Sequence, residues 1–156
     1  MNFLRAAMAA VLLVAGGAQT ASATTANVLF NGTITATCTL TVNSNGTMTV
    51  SNNLQSLSSH NAGGSAGSVQ VVTTGGVTLS VDPVTTTTVP TSDTTTTTWT
   101  PTFATSGAQT IAETGTATAL TVPGTSTVAV NLGGTKGGTN SFSAGNYQAT
   151  VTLRCE

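Results

Sequence analysis

The chain has 156 residues, of which only 4% are charged, and a net charge of −1 from three Lys or Arg against four Asp or Glu. A surface this poor in charge lacks the several Lys or Arg that neutralise phosphates in nucleic-acid binding, and the basic cluster that anionic lipid attracts. Threonine stands in for charge at about a quarter of the chain, and its β-branch and hydroxyl suit the wet face of a pleated sheet, so the composition points to an all-β protein. Sheet edges are normally guarded by Lys, Glu or Pro, which are scarce here. Such edges are either covered within the fold or built to pair with another chain.

In chain order, residues 1–23 begin with a basic Arg5, continue with an apolar run over 6–15, and end on the small residues Ala21-Ser22-Ala23. This is the pattern of a secretory signal peptide, and the run is about half of what a membrane span needs. The reading is a signal helix over 1–23 and export to the periplasm, the cell surface or the medium, with no membrane span after cleavage. Residues 24–156 then make one domain with one core.

Residues 28–42, VLFNGTITATCTLTV, alternate strictly. Val28, Phe30, Gly32, Ile34, Ala36, Cys38, Leu40 and Val42 share one side and a row of threonines the other, which predicts a long strand with one buried face. Asn45-Gly46 is a hairpin signal, with residues 47–50 as the returning arm. Residues 51–68 carry turn residues and weak periodicity, a loop with at most a short strand. Residues 68–72 and 77–81 are expected to pair as a hairpin around Thr73-Thr74-Gly75-Gly76, ended by Asp82-Pro83. The Thr/Pro-rich stretch 84–102 has two readings, a flexible and sugar-decorated linker or extended edge structure. Its apolar residues Val84, Val89 and Trp99, with Phe103 after it, favour the second. Strands are expected over 114–122, 126–132 and 146–155, with a glycine-rich turn over 133–143. In the last strand Tyr147, Ala149, Val151, Leu153 and Cys155 share the core face. Many short strands with regular turn signals describe an immunoglobulin-like β-sandwich.

An exported chain with two cysteines, each on an inward face of a terminal strand, is expected to join Cys38 to Cys155. The bridge requires the first and last strands to be neighbours or to face each other across the core.

Phe30-Asn31-Gly32-Thr33-Ile34 followed by Cys38 resembles the first strand of chaperone–usher pilin (fimbrial) subunits and of spore-coat-U-like secreted domains, where F-x-G-x-I-x-x-x-C follows a short N-terminal extension. Gly145-Asn146-Tyr147, leading into the terminal alternating strand, is similar to a pilin's last strand. The resemblance implies an incomplete, pilin-type sandwich, finished first by a periplasmic chaperone and then by like subunits through strand addition. This chain departs from the pattern in carrying its second cysteine at 155 rather than in the second strand, and in the shortness of the extension over residues 24–29.

Nothing in the sequence assembles an active site, and no cofactor is implied. His60 sits in an Asn/Ser/Gly-rich loop with no nucleophile or carboxylate near it in sequence, and Asp82, Asp93 and Glu113 are scattered. Gly133-Gly134-Thr135-Lys136-Gly137-Gly138 lacks the order of a phosphate loop and reads as a mobile turn. The threonine ladder invites comparison with ice-binding surfaces, which need a fixed internal repeat that is absent. The expectation is therefore a non-enzymatic exported structural subunit of a fimbria or surface layer, contributing to adhesion. The alternative is a self-complete secreted domain that binds carbohydrate or a surface ligand, with Trp99 and Tyr147 as candidate stacking residues.

Overall fold

The computed structural model describes residues 22–156; the expected signal helix lies outside the described residues. The chain divides into two units, Met1–Gly32 and Thr33–Glu156. In the first, residues 22–32 form no strand and are exposed. The second is all-β. Its strands are β1 (Cys38–Ser44), β2 (Thr49–Val50), β3 (Ser56–Ser58), β4 (Gly67–Thr73), β5 (Val77–Val81), β6 (Thr86–Thr88), β7 (Thr97–Gly107), β8 (Ile111–Thr114), β9 (Thr118–Leu120), β10 (Gly124–Lys136), β11 (Gln148–Thr150) and β12 (Leu153–Cys155).

The larger sheet runs β1-β4-β10-β7-β8, all antiparallel, and the C-terminal part of β10 pairs with β3, which carries β2. A second sheet has the order β12-β5-β9, and among the described residues β11 pairs with β6 alone. Alternation builds the core. Val69 and Val71 of β4, Val128 of β10 and Phe103 of β7 are buried against Val77 and Leu79 of β5 and Leu120 of β9, while Gln70, Thr125 and Thr127 between them face water. The packing of one antiparallel sheet's inward residues on another's is that of a β-sandwich.

Several expectations are corrected by what pairs with what. The strand predicted over 28–42 begins only at Cys38, and Val28, Phe30 and Ile34 of the motif are 73%, 88% and 85% exposed. The reason is the partner: β4 ends at Thr73, opposite Cys38, and the chain then turns away. Past that pair one backbone bond remains, from the Thr74 amide to the Thr37 carbonyl (3.1 Å), and side-chain bonds reach a little further, from the Thr74 hydroxyl to the Thr35 carbonyl (3.1 Å) and from the Thr37 amide to the Thr74 hydroxyl (2.8 Å). Asn45-Gly46 closes no hairpin, because β1 pairs with β4 and not with residues 47–50. Gly46 instead lies where a Cβ would come within 2.9 Å of the Gly67 amide nitrogen, so the glycine serves a close crossing of backbones.

The Gly75-Gly76 turn likewise joins two layers rather than two paired strands. Both glycines have positive φ, 82° and 74°, and they carry the chain from β4 in one sheet to β5 in the other. The Thr/Pro-rich stretch is extended in part. β6 lies within it and β7 begins in it, but β7 sits between β10 and β8 rather than at an edge. The predicted 133–143 turn starts late, since β10 continues through Gly133-Gly134 to Lys136. There the ring of Trp99, the cross-strand partner of Gly134, lies so close that a Cβ would meet its Cζ3 at 2.6 Å. The last strand is split into β11 and β12 as the chain changes partner from β6 to β5, with the Thr152 carbonyl accepting from the Asp82 amide (2.9 Å) at the break.

Candidate functional site

The sandwich has two open sides. One is bounded by β1 in the larger sheet and β12 in the smaller, and the other by β8 and β9. On the first side the disulfide Cys38–Cys155 is present, with Cα atoms 6.1 Å apart, as the cysteine count predicts. It ties the start of β1 to the end of β12, so it closes one end of this side only. From there the strands separate, because β1 follows β4 and β12 follows β5, and neither pairs with the other.

The gap is an apolar groove of about 410 Å³. Leu40 and Val42 of β1 form one wall, Ala149, Val151 and Leu153 the other, and Val69, Val130 and Leu132 the floor. These are inward-facing residues of alternating strands, so the groove is uncovered interior. Val42 shows this best, for it lies in a strand on the core side and is still 66% exposed. The groove runs on into a trough of about 690 Å³ between residues 45–48 and residues 145–150. Of the predicted last-strand face, Ala149, Val151 and Leu153 line the groove. Tyr147 lines the trough but turns its hydroxyl elsewhere. Of the first-strand motif, Phe30, Gly32 and Ile34 line neither.

The wall carrying Ala149 is anchored by a buried polar cluster that the sequence did not disclose. The Lys136 ammonium, at the end of β10, donates to Asp93 Oδ1 (2.8 Å) and to the Thr95 carbonyl (2.7 Å), and it lies 2.7 Å from Asp93 Oδ2. Tyr147 donates its hydroxyl to Asp93 Oδ2 (2.6 Å) and accepts from the Ser143 amide (3.0 Å). The side chains of Lys136 and Asp93 are 0% and 1% exposed, and the Phe142 ring covers the ammonium at 4.9 Å. The Lys136 ammonium, then the Tyr147 hydroxyl, hold the Asp93 carboxyl far below the usual range against the opposing effect of burial. Burial and the neighbouring carboxylate push the Tyr147 hydroxyl up. Only a lysine inside an otherwise glycine-rich run hints at this in the sequence, and its partner lies 43 residues upstream.

His60, expected to be a solvated loop residue, places Nε2 2.8 Å from Glu113 Oε1 across the larger sheet. Glu113 also accepts from the Thr102 hydroxyl, and that bond first, the His60 ring second, keep its carboxyl below the ordinary range. The adjacent Ser59 hydroxyl donates to Asn131 Oδ1 (2.8 Å) rather than to the His60 ring, so the arrangement does not activate a nucleophile. With both partners substantially exposed, the His60–Glu113 pair is expected to contribute less than about 1 kcal/mol in a double-mutant cycle read by urea denaturation. Among the described residues no three His, Cys, Asp or Glu side chains come together as a metal site, and no helix is long and apolar enough to cross a membrane.

Comparison with protein-family models, with curated proteins and with solved structures finds no match to this chain.

Proposed function

We propose that this chain is an exported structural subunit of a fimbria or cell-surface layer, an immunoglobulin-like sandwich of pilin type that assembles by strand addition and so contributes to adhesion. The observation that carries the reading is the groove: interior side chains left uncovered between two strands that, among the described residues, each keep one edge unpaired. A strand laid there would pair its main chain with a free edge and place alternate side chains on Leu40, Val42, Val151 and Leu153.

The occupant is the N-terminal stretch of a neighbouring copy, or a periplasmic chaperone's strand before assembly. Residues 24–29 alone are short for this, but the structure frees more chain than the sequence led one to expect. Residues 28–36 lie outside any strand and carry Val28, Phe30, Ile34 and Ala36 on one side of the alternation, interrupted by Gly32, with Val28, Phe30 and Ile34 exposed. The rival reading, a self-complete binding domain, finds less support. The Trp99 ring is taken up against Gly134 and the Tyr147 hydroxyl by Asp93.

Size-exclusion chromatography of the chain beginning at Thr24 tests the proposal. The parent is expected to elute as oligomers, and Phe30→Asp, which puts a charge on the donor's apolar side, as a monomer with unchanged far-UV circular dichroism. A parent that is a monomer and refolds unaided would overturn it.

A further inference from the structure

The opposite side of the sandwich faces the same hazard as the groove side and meets it differently. β9 is an edge strand without a charged residue in it, paired on one side with β5. Leu120 turns its carbonyl to Gly76, at the start of β5 (2.8 Å), so the polar groups of its neighbours Ala119 and Thr121 point to the free edge. An incoming antiparallel strand would bond these groups. One carbonyl and one amide among them are already taken: Gln109 Nε2 donates to the Ala119 carbonyl (2.8 Å), and Gln109 Oε1 accepts from the amides of Thr121 (2.8 Å) and Val122 (3.1 Å). A primary amide offers the donor and acceptor of a peptide group, so the side chain occupies this edge as one peptide unit of a further strand would.

The side chain is set in place by its own backbone. Gln109 lies in the turn between β7 and β8. Its amide donates to the Ser126 hydroxyl (3.1 Å) and its carbonyl accepts from the Thr105 hydroxyl (2.7 Å), both from buried residues. Gly107 makes the turn possible, with φ of 111° and a position where a Cβ would come within 2.9 Å of the Thr125 carbonyl oxygen. We propose that Gln109 is a plug for the β9 edge that denies it to the strand of a second copy and confines strand addition to the groove between β1 and β12. The second half of this statement rests on the assembly reading above; the first half does not. Edges are usually guarded by charge or proline, and in a chain with 4% charged residues an amide that mimics a strand does the same work without either.

The test uses the full chain from Thr24 carrying Phe30→Asp, so that the groove route is closed, with oligomeric state read by sedimentation velocity. Adding Gln109→Ala, or Gln109→Met to keep the bulk of the side chain, is expected to turn the monomer into oligomers. Adding Thr121→Pro to either, which removes one of the exposed amide donors, is expected to return them to monomer. Gln109 variants that stay monomeric would overturn the proposal, as would association that Thr121→Pro leaves unchanged. Loss of the strand signal in both variants also counts against it, since Gln109 would then be acting on folding. A parent chain that proves monomeric would sink the assembly reading while the Gln109 comparison still reports.

Discussion

Replacing Cys38 and Cys155 together by serine is expected to cost about 4–5 kcal/mol of stability by the chain-entropy argument, because the bridge spans 117 residues of sequence and so removes much of the freedom of the unfolded chain. The native side of the comparison adds to this. β12 is three residues long and, among the described residues, pairs only with β5, so the tie to β1 is what holds its end against the larger sheet. Urea midpoints of the oxidised protein and of the double serine variant measure the difference. Hydrogen exchange should show the loss first in the amides of residues 153–155. A difference under about 1 kcal/mol would mean that the unfolded chain is already compact enough for the bridge to constrain little. The same bond bears on the groove: by fixing the walls at one end it holds them apart at a set spacing beyond, and the reduced form should let β12 move and weaken the strand addition proposed for this groove.

What the sequence made legible, and what it hid, divides along a physical line. Period-two patterning located β4, β5 and much of β10, because a buried face leaves its mark on every second residue of the strand itself. It could not say where β1 begins. Residues 28–36 alternate as well as residues 38–42 do, and only the end of β4 at Thr73 decides that the former have no partner. Of the two glycine turns expected, Gly75-Gly76 is one and joins other partners than expected, while Gly46 serves a close crossing of backbones. A glycine pair such as Gly75-Gly76 reports a bend, and whether the chain returns to the same sheet or crosses to the other depends on residues far away in sequence. Gly133-Gly134 failed in the opposite sense. A glycine pair usually marks a turn, but here it is strand, left without side chains so that Trp99 can lie across Gly134.

The groove was half legible. The lack of edge charges and the terminal strands suggested an unfinished edge, and the cysteine count required the first and last strands to be neighbours or to face each other. The sequence left open whether the disulfide would seal that edge. Its position at the far end of both strands settles this: Cys38 opens β1 and Cys155 ends β12, so the tie and the groove occupy different lengths of the same pair. Gln109 was not legible at all. A lone glutamine in a turn carries no pattern, and its meaning comes from the edge it reaches.

The other large effect is expected at Lys136. Substituting Lys136→Met removes the ammonium and leaves the Asp93 carboxylate buried, with Tyr147 and Thr95 as its remaining side-chain donors. Breaking a buried pair in this way costs about 3–5 kcal/mol, mostly as the penalty of the uncompensated charge. Asp93→Asn should cost a similar amount from the other side, stranding the ammonium. The double substitution should cost clearly less than the two singles together, because no buried charge remains, and a urea-denaturation cycle of the four proteins measures the coupling. Additive losses would mean that water reaches the cluster and screens it.

Acid gives an independent reading of the same pair. The folded Asp93 carboxyl titrates far below its ordinary value of 3.8, so its contribution is fully present above that value and is lost as pH falls below it towards the folded value. Stability should therefore decline between about pH 5 and pH 2 in the parent, and decline less in Asp93→Asn, which has no such carboxyl to protonate. The consequence reaches the groove. Tyr147 leads directly into β11, and when Asp93 is protonated its hydroxyl loses an anionic acceptor, so the wall formed by Ala149 and Val151 is the part of the groove that acid should loosen first. Hydrogen exchange of residues 148–151 at low pH reports it, and protection there that matches the rest of the sandwich would separate the anchor from the wall.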